Sequence, residues 1–180
     1  MKYVLAIDPA TSTGLALVGY EKSGPPVHIR SKITKLPGKK RNEWYERARD
    51  SVEEILDGVD RSSVQWILET WSHHRNYRDA IRLAQVQQTW VDMASAMGSS
   101  SPPVLYNVTS WQAAIGAGSL KSKVHGKNAR KDHAVLWAQK SYRIEGPIKY
   151  DIADALCMAC VWINENRHRQ STFGFNVKGV

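Results

Sequence analysis

Short apolar runs and longer amphipathic segments divide the chain into strands and helices. Continuous or alternating apolar runs predict five β-strands. They cover residues 3–7, 14–20, 27–36, 64–68 and 104–106. Apolar residues at helical spacing predict four main helices. They cover residues 42–57, 79–97, 128–142 and 151–166. A short helix capped by Thr109 and ending at Ile115 precedes a glycine- and lysine-rich loop over residues 116–127.

The order of these elements predicts one α/β domain. Three strands in succession, followed by strands that alternate with helices, give a five-stranded mixed sheet flanked by helices. That order is typical of an RNase H-like fold. The domain is expected to cover residues 1–166, and the basic, glycine-containing segment 167–180 is expected to form a mobile tail.

Two of the predicted strands end on a carboxylate. Asp8 follows the apolar run 4–7, and Glu69 follows the run 64–68. A carboxylate at the end of a buried strand is costly unless a cation offsets its desolvation, and a divalent cation is the usual partner. For Asp8, a turn aspartate that caps a hairpin is the structural alternative.

The start of helix 151–166 adds two more carboxylates. Asp151 and Asp154 lie three positions apart, on one face of the first helical turn. Asp154 is the only charged side chain between residues 152 and 163, in a helix that is apolar nearly all round and should be buried. For Asp151, an ordinary N-cap is the alternative.

These four acidic positions predict a metal-dependent hydrolytic site. Four carboxylates packed together would repel one another and become partly protonated without cations. Two Mg²⁺ ions would resolve this, activate a water and stabilise the leaving oxygen in phosphodiester hydrolysis. We therefore expect two Mg²⁺ ions per active site, with Mn²⁺ as a substitute.

The net charge and the composition of the chain indicate which class of partner it binds. Lys and Arg outnumber Asp and Glu by 25 to 17 in 180 residues, a formal net charge of +8, which favours a polyanion such as nucleic acid. No apolar stretch reaches the roughly 18 residues of a membrane span. The chain begins directly with a strand and no signal peptide precedes it, so a cytoplasmic location and no membrane partner are expected.

Cys157 and Cys160 are expected to be buried structural thiols rather than a zinc or redox pair.

The sequence resembles the RuvC family of Holliday junction resolvases. Motifs in family order between residues 4 and 163 carry the resemblance. They are Ile7-Asp8-Pro9 with Thr13-Gly14, Leu68-Glu69, Leu83-Ala84-Gln85, Gly116-Ala117-Gly118-Ser119 and Asp151-Ile152-Ala153-Asp154-Ala155-Leu156. The resemblance implies an RNase H-like fold, a homodimer, and Mg²⁺-dependent paired nicks in four-way DNA junctions. It places catalysis and metal binding on Asp8, Glu69, Asp151 and Asp154.

The chain departs from the family pattern at two places. Residues 121–127 look like an insertion after the glycine loop, and Ser110-Trp111 stands where a lysine is expected just before that loop. The family's DNA-contacting lysines therefore cannot be transferred one by one. Lys131 aligns best with a family basic position.

Two segments are predicted to contact DNA. After Glu69, aromatic and basic residues interleave without aliphatic content, and the resemblance implies a base-wedging loop there. The candidates in this segment are Trp71, His73, His74, Arg75 and Asn76. The alternative for Trp71 is packing in the core. The alternative for each histidine is a solvated position in a loop. The second segment is the densest basic cluster, which the glycine-rich context favours as a phosphate-binding surface. Its members are Lys121, Lys123, Lys127, Arg130 and Lys131.

Helix 79–97 carries two apolar stripes. The larger stripe is expected to cover the sheet, and the smaller one to meet a twofold-related partner. The larger stripe consists of Leu83, Val86, Trp90, Met93 and Met97, and the smaller one of Ala80, Ala84, Gln87, Val91 and Ala94. A helix sandwiched inside one domain is the alternative.

Three other functions share some of these features. An RNase H-like nuclease acting on flaps or forks would use the same carboxylates. A sugar-kinase or actin-like ATPase would need a second lobe and a second glycine-rich loop, for which 180 residues are too few. A non-catalytic junction-binding protein has no use for four clustered carboxylates. We expect branched DNA as the substrate and no small-molecule substrate.

Overall fold

A computed structural model of the chain describes residues 1–36, 41–70, 77–99 and 101–173. Five strands form one sheet. They are β1 (Lys2–Asp8), β2 (Ser12–Tyr20), β3 (Val27–Lys35), β4 (Val64–Thr70) and β5 (Val104–Asn107). Six α-helices surround the sheet. They are α1 (Arg41–Ile55), α2 (Tyr77–Ala96), α3 (Val108–Ala114), α4 (Ser122–His125), α5 (Ala129–Tyr142) and α6 (Tyr150–Phe173).

The sheet is mixed, as the element order predicts. The strand order is β3-β2-β1-β4-β5. β1, β2 and β3 form an antiparallel meander, whereas β4 pairs in parallel with both β1 and β5. Because β1 and β4 run in the same direction, their carboxyl ends lie at one edge of the sheet.

Both faces of the central strands are buried, which explains why their apolar runs are continuous rather than alternating. Alternate residues of β1 and β2 pack under α5 and α6 on one face and under α1 and α2 on the other. The first set is Val4, Ala6, Ala16 and Val18, and the second is Leu5, Ile7, Leu15 and Leu17. All eight side chains are fully buried, so substitutions here act on stability before they act on function.

Several local predictions are corrected by the structure. Thr109 does not cap α3, because the side chain of Asn107 accepts the Thr109 backbone N–H at 2.9 Å and so acts as the N-cap. The segment 116–127 is not an open loop, since it contains a 3₁₀ turn at Ala117–Ser119 and helix α4. Helix α6 extends to Phe173 instead of ending at residue 166. Residues 174–180 of the expected tail lie outside the described residues, and the domain boundary at 166 stays a prediction.

Other predictions are confirmed. On α2, Val86, Trp90 and Met93 of the larger stripe are buried against the sheet, and Met97 is nearly so. Cys157 and Cys160 are free, buried thiols on α6. Within the described part of the chain, no helix is both long enough and apolar enough to cross a membrane.

Candidate active site

Strand register brings Asp8 and Glu69 to the same edge of the sheet. Ile7 of β1 is the partner of Leu68 of β4, so the next residue on each strand is one of the two carboxylates. Both side chains are partly buried at the point where their strands leave the core. The two strand-end carboxylates identified from sequence are therefore neighbours.

The amino end of α6 approaches this edge through a contact that only glycine permits. A Cβ atom on Gly14 would lie 2.0 Å from the backbone carbonyl oxygen of Asp151. Ser12 of the same strand donates a hydrogen bond from its Oγ to Oδ2 of Asp151 at 3.0 Å. Asp151 is thus held against the start of β2, and Asp154 lies one helical turn further along.

The Glu69 side chain is held by a tryptophan of α3. The indole Nε1–H of Trp111 donates a hydrogen bond to Oε2 of Glu69 at 2.9 Å. Trp111 lies on α3 and is almost fully buried, so its ring has little freedom to move. The sequence pattern gave no reason to place this indole in the site.

Electrostatic interactions connect the four carboxylates. Burial is the largest cause that raises the pKa of Asp8 well above its usual range, and repulsion from Glu69 and Asp154 adds to it. Burial also raises the pKa of Glu69 to about 7 and that of Asp154 to about 6. The Lys131 ammonium lowers the pKa of both Asp8 and Asp154, which places a positive charge beside the cluster. Asp151 contributes repulsion to both groups as well.

The donor set fits a divalent cation by its chemistry. Carboxylate oxygens are the ligands that Mg²⁺ prefers, and a cation would relieve the repulsion that raises these pKa values. Among residues 1–36, 41–70, 77–99 and 101–173, however, no three acidic, histidine or cysteine side chains are close enough to form a ready-made metal site.

The basic residues of the predicted phosphate-binding surface make different contacts in the structure. Arg130 donates from Nε to the carbonyl oxygen of Leu120 at 2.8 Å, so it fastens the segment after the glycine loop. Lys131 lies 5.3 Å above the ring of Tyr150, next to the carboxylates. Lys127 lines a groove of about 320 Å³ with both of them. Lys121 and Lys123 are exposed on the segment before this groove. Residues 71–76, with the candidates Trp71, His73, His74, Arg75 and Asn76, lie outside the described residues.

The predicted partner stripe on α2 is only partly at the surface. Ala84 is exposed, whereas Ala94 is fully buried in the core and is not available to a partner. Ala80, Gln87 and Val91 are half-buried. The large apolar side chains that α2 does expose are Tyr77 and Ile81, at 79% and 42%, on the same side as Ala84. The apolar face open to a partner is therefore shifted around the helix from the predicted stripe.

Comparison with solved structures identifies the architecture. Thermus thermophilus RuvC matches with a TM-score of 0.72 and 20% identity, over 93% of this chain and 96% of that one. T. thermophilus RuvC in complex with a Holliday junction substrate matches with a TM-score of 0.69 and 18% identity, over 92% and 96%. The chain has the RuvC fold. The yeast mitochondrial Holliday junction resolvase Ydc2 shares it at a TM-score of 0.56 and 12% identity, over 96% of this chain and 84% of that one.

The RuvC fold confirms the RNase H-like architecture predicted from the element order. No protein-family model and no curated protein matches the sequence. Within the RuvC fold, two observations reveal residues that sequence reasoning did not include in the site, namely Ser12 and Trp111. Ser12 adjoins the Thr13-Gly14 motif, which is a signal that could have found it. Trp111 was visible only as a departure from the family pattern.

Proposed function

We propose that this protein is a metal-dependent endonuclease that resolves four-way DNA junctions by paired phosphodiester hydrolysis. One observation supports the proposal: within a RuvC fold, the end of β4 and the first turns of α6 bring the carboxylates of Glu69, Asp151 and Asp154 near enough to Asp8 to repel it. Buried repelling carboxylates destabilise a fold, so the presence of this set favours a catalytic use.

Each carboxylate has a defined place in this mechanism. Asp8, Glu69 and Asp154 would hold the cations, and Asp151, fixed by Ser12, would complete the set. When bound, two Mg²⁺ ions supply an activated water and stabilise the leaving oxygen in phosphodiester hydrolysis. The chain's own residues orient the carboxylates, exclude water on the core side and hold the DNA.

The basic residues beside the carboxylates would position the DNA. Lys127 and Lys131 line a groove next to the acidic edge, where ammonium groups would contact phosphate oxygens. Such contacts fix the register of the backbone but carry no sequence information. The DNA partner is therefore proposed to be recognised by its branched shape.

A homodimer follows from the symmetry of the substrate. A four-way junction presents two equivalent strands, so paired nicks require two active sites related by a twofold axis. The exposed apolar face formed by Tyr77, Ile81 and Ala84 on α2 is the proposed seam.

Cleavage of defined branched substrates tests the proposal. Purified protein is incubated with a synthetic four-way junction, a replication fork, a flap and a linear duplex, each with Mg²⁺ or with a chelator. We expect symmetric nicks in the junction, only with Mg²⁺, and slower cutting of the other three. Preferred cutting of flaps or forks would indicate a different RNase H-like nuclease. Tight junction binding without any cleavage would contradict the catalytic proposal.

A further inference from the structure

The hydrogen bond between Trp111 and Glu69 joins a buried neutral donor to a carboxylate of the candidate active site. Trp111 is 1% exposed, and its Nε1 lies 2.9 Å from Oε2 of Glu69. The indole therefore holds one of the two carboxylate oxygens of Glu69.

The backbone that carries the indole is itself anchored. The carbonyl oxygen of Trp111 accepts the backbone N–H of Ile115 at 3.1 Å, which closes the last turn of α3. The carbonyl oxygen of Ile115 in turn bonds to Nε2 of His133 on α5 at 2.7 Å. Trp111 thus reaches Glu69 from a segment fixed to the helix that carries Lys131.

The chemistry of the donor suits a carboxylate that must bind a cation. The N–H group donates to one carboxylate oxygen and so fixes the orientation of the Glu69 carboxylate. An indole also adds no positive charge.

We propose that Trp111 is a positioning residue that holds Oε2 of Glu69 and so keeps the carboxylate oriented for a divalent cation. The proposal rests on the proposed function in giving Glu69 a cation to bind. It concerns Trp111 alone, so it can fail while the nuclease activity stands. Residues that orient a metal ligand from behind change cation affinity or activity by roughly 10–100-fold when they are removed.

Trp111→Phe tests this role, because it keeps an aromatic ring and removes the N–H donor. Trp137→Phe is the matched control, since Trp137 is a partly buried tryptophan of the same core on α5. Mn²⁺ affinity of the DNA-free protein is measured by calorimetric titration, and kcat and KM for junction cleavage are measured separately. We expect Trp111→Phe to weaken Mn²⁺ binding by roughly 10-fold and to lower kcat without raising KM for DNA. The control should match the wild type in all three quantities.

A spectroscopic measurement tests the contact without removing the ring. The Trp111 indole Nε1–H resonance is assigned by its absence from the ¹⁵N spectrum of Trp111→Phe. In protein with native Trp111, we expect this resonance to shift on Mg²⁺ addition and in Glu69→Gln, which removes the charge of the acceptor. An indole resonance that ignores both changes would overturn the proposal.

The outcomes separate the two proposals. If the wild type cleaves junctions but Trp111→Phe keeps wild-type Mn²⁺ affinity and kcat, the positioning role is overturned and the nuclease proposal stands. If the wild type binds no divalent cation and cleaves no DNA, the proposed function fails and the role of Trp111 toward a cation fails with it. If Trp111→Phe and Trp137→Phe lose Mn²⁺ affinity equally, the effect is a general one on the core, and the positioning role is likewise overturned.

Discussion

Gly14 and the carbonyl oxygen of Asp151 are in a contact that leaves no room for a side chain. A Cβ atom at residue 14 would lie 2.0 Å from that backbone oxygen, which cannot move without displacing the start of α6. Two of the four candidate catalytic carboxylates lie in the first turns of that helix. A structural glycine on β2 therefore sets the distance between the helix carboxylates and the strand carboxylates.

Gly14→Ala should strongly reduce junction cleavage because it displaces the carboxylates of α6, although it removes no reacting group. A displacement of about 1 Å at a reacting group can cost about 100-fold in rate, so we expect at least that loss in junction cleavage. Gly19→Ala on the same strand is the control, because its new Cβ would meet only the flexible side chains of Met1 and Ile29. Single-turnover cleavage rates and circular dichroism of both variants provide the check. Full activity in a folded Gly14→Ala protein would show that the helix position is not critical.

Without divalent cations, stability should fall as the pH rises from about 4 to about 7. The pKa of Glu69 is raised to about 7 and that of Asp154 to about 6, so the folded state binds protons more tightly than the unfolded state does. Under this linkage the stabilising effect of protonation is present at low pH and is lost as the pH rises through the folded-state pKa values. Urea unfolding in a chelator across this pH range measures the slope.

Glu69→Gln should remove part of that pH dependence. Because the variant carries no charge at residue 69, we expect it to be more stable than the wild type at pH 8 by ~1–3 kcal/mol in chelator. Mg²⁺ should raise the stability of the wild type more than that of the variant. A variant with the same pH slope as the wild type would show that Glu69 is not buried among repelling charges.

Affinity for DNA should depend steeply on salt through the basic residues beside the carboxylates. Replacing Lys123, Lys127 and Lys131 together by Ala should reduce the log–log slope of binding against salt by roughly 2–3, since each phosphate contact contributes about 0.9. Replacing Lys2, Lys22 and Lys140 removes the same charge elsewhere and serves as the control. Binding to a four-way junction is measured at several salt concentrations. Equal slopes for both triple variants would place the phosphate-binding surface on another part of the protein.

The exposed residues of α2 provide a test of the proposed dimer. Ile81→Glu with Ala84→Glu places four carboxylates across the proposed seam, which should cost several kcal/mol of association. Both residues are exposed in the subunit, so the variant should stay folded. Leu136→Glu on α5 changes an apolar residue that is more exposed than Ile81 and should leave the dimer intact. Sedimentation distinguishes a monomer from a dimer. A double variant that still sediments as a dimer would show that the partner surface is elsewhere.

The fold could be predicted because its signals are local and strong. The buried strand β1 contains a continuous apolar run, β4 is mostly apolar, and Asp154 is the only charged residue of α6 between residues 152 and 163. Both patterns depend on burial, which acts on every residue of an element. The start of a helix is harder to predict where two neighbouring polar residues could each cap it. At α3 the sequence indicates Thr109, whereas Asn107 is the N-cap.

The candidate site could be predicted only in part because its supporting contacts are non-local. Asp8 and Glu69 are visible as strand ends, but Ser12 meets Asp151 across 139 residues of sequence. Trp111 meets Glu69 across 42 residues, and neither contact follows from periodicity or motif spacing. The α2 stripe shows the same limit, since helical periodicity predicts which residues share a face and not how far the core extends around the helix.

In the proposed mechanism, these carboxylates hold the metal ions that cleave DNA, while other residues hold the substrate. Junction binding and junction cleavage, measured in the same preparations of Asp8→Asn, Glu69→Gln and Asp154→Asn, separate the two roles. Asp57→Asn, an exposed acid after α1, is the control. We predict that the three site variants bind the four-way junction at least as tightly as the wild type, yet show no cleavage with Mg²⁺. Cleavage by Asp8→Asn or Glu69→Gln at a near wild-type rate would contradict the account.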